Sequence, residues 1–494
     1  MADPVAGPGP GPPGAQAGPP GAQAGPPEAQ DEAVRLAAEL IRIDTTNRGG
    51  GDARERPAAE LVAAELSGAG LEPVLLESAP GRANVVARMA GADPAAPALL
   101  VHGHLDVVPA EPADWTVHPF SGEIRDGVLW GRGAVDMKNA VAVMVAVATS
   151  LARTGRRPAR DVVLAFTADE EDTAAYGAGW LATEHPGLFE GCTEGISESG
   201  AFTFHAAPGV RLYPVAAAER GTAWLKLTAR GTAGHGSRRN TRNAVTMLAR
   251  AMTRIGDHQW PPRIIPTVRA ALDAMAAAVP EAGAGGTRGP AGSPDGLGPD
   301  ELRARFGPAG VLVENVVRNS ANPTMLTAGY KVNVIPGEAA GYVDGRMLPG
   351  FEEEFRTTMD ELTGPDVSWE YYHREGPLEA PHGAPLMAAM TAALLAEDPG
   401  AHVVPYCMSG GTDAKHFARL GIAGYGFTPL QLPPGYDYHA MFHGVDERVP
   451  VSALHFGVRV MERLLTTGST GQDRDAAGQG AARPEAARQE GTVR

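Results

Sequence analysis

The stretch "PALLVHGHLDVVP" (97–109) constrains the fold more than any other. A short unbroken apolar run of this kind is a strand covered on both faces, as in a parallel sheet. It ends, however, in two histidines and an aspartate, groups that are costly to desolvate. Side chains alternate along a strand, so residues 102, 104 and 106 share a face, and His104 and Asp106 fall side by side at its carboxyl end. In open α/β sheets that is the end at which ligands bind. "DVVLAFTAD" (161–169) repeats the pattern, and "MKNAVAVMVAVATSLART" (137–154) between them has the length and composition of a helix. Strand, helix and strand in this order form a βαβ unit.

The alternation returns in "AHVVPYCMSGG", "DAKHFARLG" and "IAGYGFTPL" (401–430), and "DEAVRLAAELIRI" (31–43) is an amphipathic helix that opens the ordered part. The middle of the chain differs. "TAWLKLTARG" (222–231) alternates apolar and polar residues like a half-exposed antiparallel strand, and "TRNAVTMLARAMTRI" (241–255) is helical. "YKVNVIPGEAAGYVDGRML" (330–348) reads as two strands joined at "PGEA". The expected organisation is α/β: a tail over 1–30, a first α/β part over 31–219 and an inserted α+β unit over 220–346. A second α/β part over 347–466 and a tail over 467–494 complete it. Segments 2–27, 281–300 and 467–494 have too few large apolar residues to build a core and read as loop or disorder.

The net charge of −16 argues against nucleic acid and anionic membranes as partners. Cys192 and Cys407 are the only cysteines and form no CxxC, so a disulfide framework is not expected. No secretory pattern of a basic segment followed by an apolar one opens the chain, and no run of about 18 apolar residues occurs. The expectation is a cytoplasmic protein.

Five polar clusters lie where apolar runs stop: "HGHLD" (102–106), "GAVDMKN" (133–139), "TADEED" (167–172), "ISESG" (196–200) and "MFHGVDE" (441–447). Each alone is unspecific; together they supply the mixed nitrogen and oxygen donors that suit zinc, cobalt or manganese. With "HGHLDVVP", "GRGAVDMKN", "TADEE", "GHGS", "NVIPGEA", "SGGTDA" and "HGVDERVPVSAL" in this order, the chain over about 31–466 resembles the M20 family of metallo-aminoacylases and peptidases. The resemblance implies a zinc-peptidase type of α/β catalytic domain, of the phosphorylase/hydrolase-like kind, with an inserted lid through which copies dimerise. It further implies two divalent ions, most simply Zn2+, bridged by Asp136. His104 and Glu198 would complete one ligand set, Glu171 and His443 the other.

In the same pattern Asp106 orients the far ring nitrogen of His104, Glu170 is the general base that activates water, and His235 in "GHGS" donates to the developing oxyanion, often across a dimer interface. His102 is expected to pack rather than ligate. Arg346 and Asn333 match positions that bind the carboxylate end of substrate, although an ordinary salt bridge suits Arg346 as well. Gly410, Gly411 and Thr412 in "SGGTD" either bring amides to the substrate or form a plain tight turn. The implied activity is hydrolysis of an N-acyl amino acid or short peptide. A dipeptidase or carboxypeptidase and a non-catalytic binding relative are the alternatives.

Overall fold

A computed structural model describes residues 27–279 and 299–467. The segments expected to be loop or disorder therefore lie almost wholly outside the described residues. The main body is a ten-stranded mixed sheet. Its principal order is Val74–Ala79, Arg82–Met89, Val162–Thr167, Ala98–His104, Cys192–Ser197, Ala423–Gly426, Val210–Glu219 and Leu378–Glu379. Ala401–Met408 pairs parallel to Val210–Glu219. The expected βαβ unit is present: Ala98–His104 runs parallel to Val162–Thr167 in the register His104↔Thr167, with the helix Lys138–Arg153 between them.

Helices cover both faces, which is why these strands carry continuous apolar runs. Pro27–Arg42, Lys138–Arg153, Pro385–Glu397 and Val451–Thr466 form one layer, with a core that includes Leu36, Val141, Leu164 and Phe456. On the opposite face Leu100, Val163 and Ala165 meet Leu181, Phe189 and Phe417. Gly103 lies just before His104; a Cβ there would come within 2.7 Å of Met137 Cε, so the glycine lets the Met137 side chain pack closely against this strand.

A second, four-stranded antiparallel sheet has the order Ser320–Ala328, Glu338–Met347, Gly221–Arg230, Val367–Glu375. It packs against Ala244–Asp257 and Glu352–Thr363 around Leu225, Leu248, Val343 and Phe355. Asn243 caps the first of these helices, accepting from the Val245 and Thr246 amides.

Packing departs from the expected 220–346 insertion in two respects. The helix Glu352–Thr363 and the strand Val367–Glu375 belong to the small sheet, so it extends past residue 346. Helices Pro266–Ala278 and Pro299–Phe306, although inside 220–346, bury Val268, Leu272, Met275 and Leu302 against Leu212, Val404 and Cys407 of the large sheet. Local alternation finds strands and helices, but not which sheet supplies the apolar surface they cover. "YKVNVIPGEA" also yields less strand than expected: among the described residues Val334–Ile335 pairs only with Gly234–His235, and the long neighbours of Glu338–Met347 are Gly221–Arg230 and Ser320–Ala328. The edge strand Ser320–Ala328 is mostly exposed and lacks the half-buried alternation that would reveal it.

Among the described residues no helix is long and apolar enough to cross a membrane. Phe355 is fully buried, lies against Gly345 and stacks on Trp260 with ring centroids 5.2 Å apart. Phe355→Ala is expected to lower unfolding free energy by about 3–5 kcal/mol. Denaturant unfolding showing a loss under about 1 kcal/mol would remove this ring from the small sheet's core.

Candidate active site

Three parallel strands deliver the central side chains. His104 is the last residue of Ala98–His104, Glu170 and Glu171 follow Val162–Thr167, and Glu198 follows Cys192–Ser197. Asp136 stands two residues before the helix Lys138–Arg153, and His443 lies in the loop ahead of Arg448–Pro450. All six meet at the carboxyl edge of the sheet.

Asp136 sits at the centre. Its Oδ1 is 3.1 Å from His104 Nε2 and its Oδ2 is 3.4 Å from His443 Nε2, so the two carboxylate oxygens face different imidazoles. Glu198 Oε2 lies 3.7 Å from His104 Nε2, and Glu171 Oε2 lies 3.1 Å from His443 Nε2. Two groups of ligand atoms lie within 4.8 Å of one another: His104, Asp136 and Glu171, and His104, Glu170 and Glu198. The inclusion of Glu170 differs from the expected ligand sets and puts its carboxylate against the His104–Glu198 side.

The electrostatics point to missing positive charge. Burial and the neighbouring Glu198 push the Glu170 carboxyl well above its usual range. Burial and Asp136 raise Glu171 to about 7. Glu198 is raised to about 8 by burial, against the pull of His104. The Asp136 and Glu171 carboxylates lift His443 to about 10. Burial lowers His104, but Glu198 and Asp136 outweigh it and raise the imidazole well above 6.5. Glu170, Glu171, Glu198 and both imidazoles are driven to hold protons, while His104 and His443 keep Asp136 below the usual carboxylate range despite its burial. Protons held this way mark a cluster suited to cations, which can replace them. Glu171 Oε1 is buried without a hydrogen-bond partner, as a ligand oxygen would be. The donors, carboxylate oxygens and imidazole nitrogens, fit divalent metal.

The backbone that carries these groups is clamped by residues sequence reasoning missed. Glu447, fully buried, accepts from the amides of Gly133 (3.0 Å), Val135 (2.6 Å) and Asp136 (2.9 Å), and from Arg132 Nη1 (2.7 Å). Asp106 acts differently from the expected role. The partner of His104 Nδ1 is the Asp106 carbonyl at 2.9 Å, whereas its carboxylate is 3.7 Å from that nitrogen, too far for a hydrogen bond. The carboxylate instead accepts from the amides of Glu170 and Glu171, each at 3.2 Å, and from Asn47 Nδ2 at 2.9 Å. Alternation places the side chain beside His104, but the turn after Thr167 competes for it with two amides.

Asn47 also donates to Asp169 Oδ1 (3.1 Å), which receives Arg82 Nη2 at 2.7 Å. Arg82 in turn makes a two-pronged pair with Glu55, both bonds 2.8 Å. Asp169 has φ 67°, an uncommon conformation that this network holds. His102 is buried and packs edge-on against Phe417, as expected for a non-ligand.

A cavity of about 180 Å³ opens beside Glu170 and Glu171. One face of the small sheet forms its far wall, because Thr222 is opposite both Arg346 and Glu375 and Trp224 is opposite His373. Arg346 reaches this wall while paired with Asp344 at 2.8 Å, so the salt bridge and the cavity position coexist. Gly411 and Thr412 line it too, but the Thr412 amide and hydroxyl already donate to Glu219 at 3.0 and 2.7 Å. That corrects the expectation that the Thr412 amide faces substrate. Gly410 lines a neighbouring cavity of about 520 Å³ with Arg220, Arg318 and Arg346. His235 and Asn333 are not brought to the cluster: both are exposed, and His235 lines a separate cavity with Arg238 and Asn240. The Asn333 carbonyl accepts from the Gly236 amide at 2.9 Å.

The sequence profile of peptidase family M20/M25/M40 matches residues 100–467. The chain belongs to peptidase family M20. Human N-fatty-acyl-amino acid synthase/hydrolase PM20D1 is 28% identical to this M20 chain over 403 residues, covering 78% of it and 76% of the relative. Succinyl-diaminopimelate desuccinylase of Cereibacter sphaeroides is 35% identical over 241 residues, 46% of this chain and 57% of the relative. The solved M20 metallo-carboxypeptidase Sso-CP2 from Sulfolobus solfataricus superposes with a TM-score of 0.64 at 16% identity, over 88% of this chain and 98% of that one. Human carnosine dipeptidase 1 gives 0.61 at 16% identity, over 88% and 95%. The fold is thus the α/β architecture of M20 peptidases, and the protein is a hydrolase of amide bonds.

Arg82→Met would leave Glu55 and Asp169 buried without their cation. It is expected to cost about 3–5 kcal/mol of stability. An unfolding curve matching the parent would show that the Glu170–Glu171 turn does not depend on this network.

Proposed function

We propose that this M20 enzyme is a two-metal hydrolase of N-acyl amino acids or short peptides, with Glu170 as its general base. The observation that carries the reading is Asp136 with one oxygen toward His104 and the other toward His443, the arrangement a bridging carboxylate needs. Glu198 then stands with His104, and Glu171 with His443. A solved M20 peptidase from Bacillus subtilis, with a TM-score of 0.55, is described as dinuclear and metal-binding, in keeping with two ions. Zn2+ suits the nitrogen and oxygen donors, as do Co2+ and Mn2+.

When bound, such ions lower the pKa of water and polarise a carbonyl. The rest is the work of the chain. Glu170 accepts the proton of the attacking water and returns it to the leaving nitrogen, so the amide C–N bond breaks as a carboxylate and an amine form. Its raised carboxyl suits both halves of that transfer. Asp106 fixes the turn that aims Glu170. Arg346 receives the carboxylate end of the substrate with its planar fork, and Asn333, Gly410 and Gly411 belong to the same binding surface once the small sheet closes.

His235 supplies the oxyanion donor through closure or from a second copy. The edge strand Ser320–Ala328, with Met325 and Leu326 exposed, supports a homodimer formed through the small sheet. A cytoplasmic setting agrees with two free, buried cysteines. The names of the relatives place both acyl amino acids and peptides among the substrates to test.

Glu170→Gln is expected to bind two equivalents of Zn2+ while turnover falls by about 10²–10⁴. Parental turnover in the metal-loaded variant would remove Glu170 as the base. Stripping the metals should also lower unfolding stability, by about 2.7 kcal/mol for each ion lost relative to protein at a free-ion level of 100 times Kd. Calorimetry with and without chelator showing equal stability would argue against a folded-state metal cluster.

A further inference from the structure

The cavity beside Glu170 contains a carboxylate, Glu375, whose basic neighbours all stand at long range. Glu375 closes the strand Val367–Glu375 and faces the same space as Glu170 and Glu171. Lys415 Nζ lies 3.6 Å from its Oε2, while His416 Nε2 and His373 Nε2 lie 3.4 and 3.5 Å from its Oε1. These separations exceed the 2.7–3.2 Å of an ordinary N–H···O bond. Burial would raise the Glu375 carboxyl, but His373, His416 and Lys415 hold it well below the usual range. The acceptor is therefore ionised.

Glu219 is the other carboxylate near Lys415, and its two oxygens are occupied by the Thr412 amide and hydroxyl. One ammonium serves two carboxylates, and only Glu219 is saturated. A donor arriving at Glu375 finds a charged, partly exposed acceptor with open lone pairs.

The walls set a second limit. Ala174 and Trp224 are the apolar side chains facing this cavity. The neighbouring cavity, which shares Arg346, has no apolar side chain in its lining. A long aliphatic chain in either would cover charged groups without offering them a hydrogen bond, and would gain little of the roughly 0.8 kcal/mol per methylene that apolar burial supplies.

We propose that the pocket selects short substrates bearing a protonated amino group on the acyl side of the scissile amide, and that Glu375 receives that ammonium. The inference rests on the amide-hydrolase reading above and adds the substrate class. The test compares glycyl-leucine, N-acetyl-leucine and N-lauroyl-leucine, which share a leaving group, on Zn2+-loaded protein. Glycyl-leucine is expected to give the highest kcat/KM, and N-lauroyl-leucine the lowest.

In Glu375→Gln the ratio of kcat/KM for glycyl-leucine to that for N-acetyl-leucine should fall about tenfold, through KM, the loss of one hydrogen bond between charged groups. An unchanged ratio, or N-lauroyl-leucine as the best substrate, would overturn the proposal while leaving the hydrolase reading intact. The substrate ranking of the parent needs no variant and decides the matter if Glu375→Gln does not fold. No hydrolysis of any of the three with both metals bound would overturn the proposal together with the reading beneath it.

Discussion

Four carboxylates, Asp136, Glu170, Glu171 and Glu198, gathered at one sheet edge with two imidazoles are the constraint on which the rest of this molecule turns. Like charges this close repel, and burial removes the water that would screen them. Among the described residues only His104 and His443 compensate within the cluster; they hold Asp136 ionised, and the three glutamates and both imidazoles are driven toward their protonated forms. Divalent cations relieve the same imbalance without occupying the proton sites that catalysis needs. A cluster that is unstable empty is poised to bind metal, so folding and metal affinity are linked.

Repulsion of that size would spread the side chains apart if the backbone yielded. It is held by charged groups acting on amides rather than on one another. Glu447 collects three consecutive-loop amides around Asp136, and Asp106 collects those of Glu170 and Glu171. Behind Asp106 stand Asn47, Asp169, Arg82 and Glu55, a buried chain in which each anion meets a donor. A carboxylate that binds backbone N–H groups sets the position of the residues bearing them. The ligands can then be short, direct and adjustable while the loops beneath them are not.

Much of this was legible in the sequence because apolar strands end abruptly in His, Asp and Glu, and a parallel sheet gives such endings one destination. His104, Asp136, Glu170, Glu171, Glu198 and His443 were all marked by that contrast. Glu447 and Asp169 lay inside quoted clusters, yet nothing local separates a carboxylate that binds amides from one that faces solvent. Asn47, Glu55 and Arg82 sit in segments with no motif, and only the tertiary fold makes them neighbours. The boundary of the inserted unit failed for a related reason. Helices Pro266–Ala278 and Pro299–Phe306 have apolar faces that fit either sheet, and the choice rests on Leu212 and Val404, far away in the chain.

Chemistry and selection fall on different sheets. The large sheet carries His104, Glu170, Glu171 and Glu198 at or just past strand ends, where parallel pairing fixes them together. The small sheet presents Thr222, Trp224, Arg346, His373 and Glu375 along one face, because antiparallel register sets residue 222 against both 346 and 375, and 224 against 373. Residues two apart on a strand point the same way, so this wall can change character one side chain at a time without moving the cluster opposite. Of the wall's residues, Glu375 is the carboxylate, set opposite Thr222 at the end of its strand. A fold built this way places its reactive groups where the sequence is most constrained by charge, and its selectivity where the only strict demand is strand alternation.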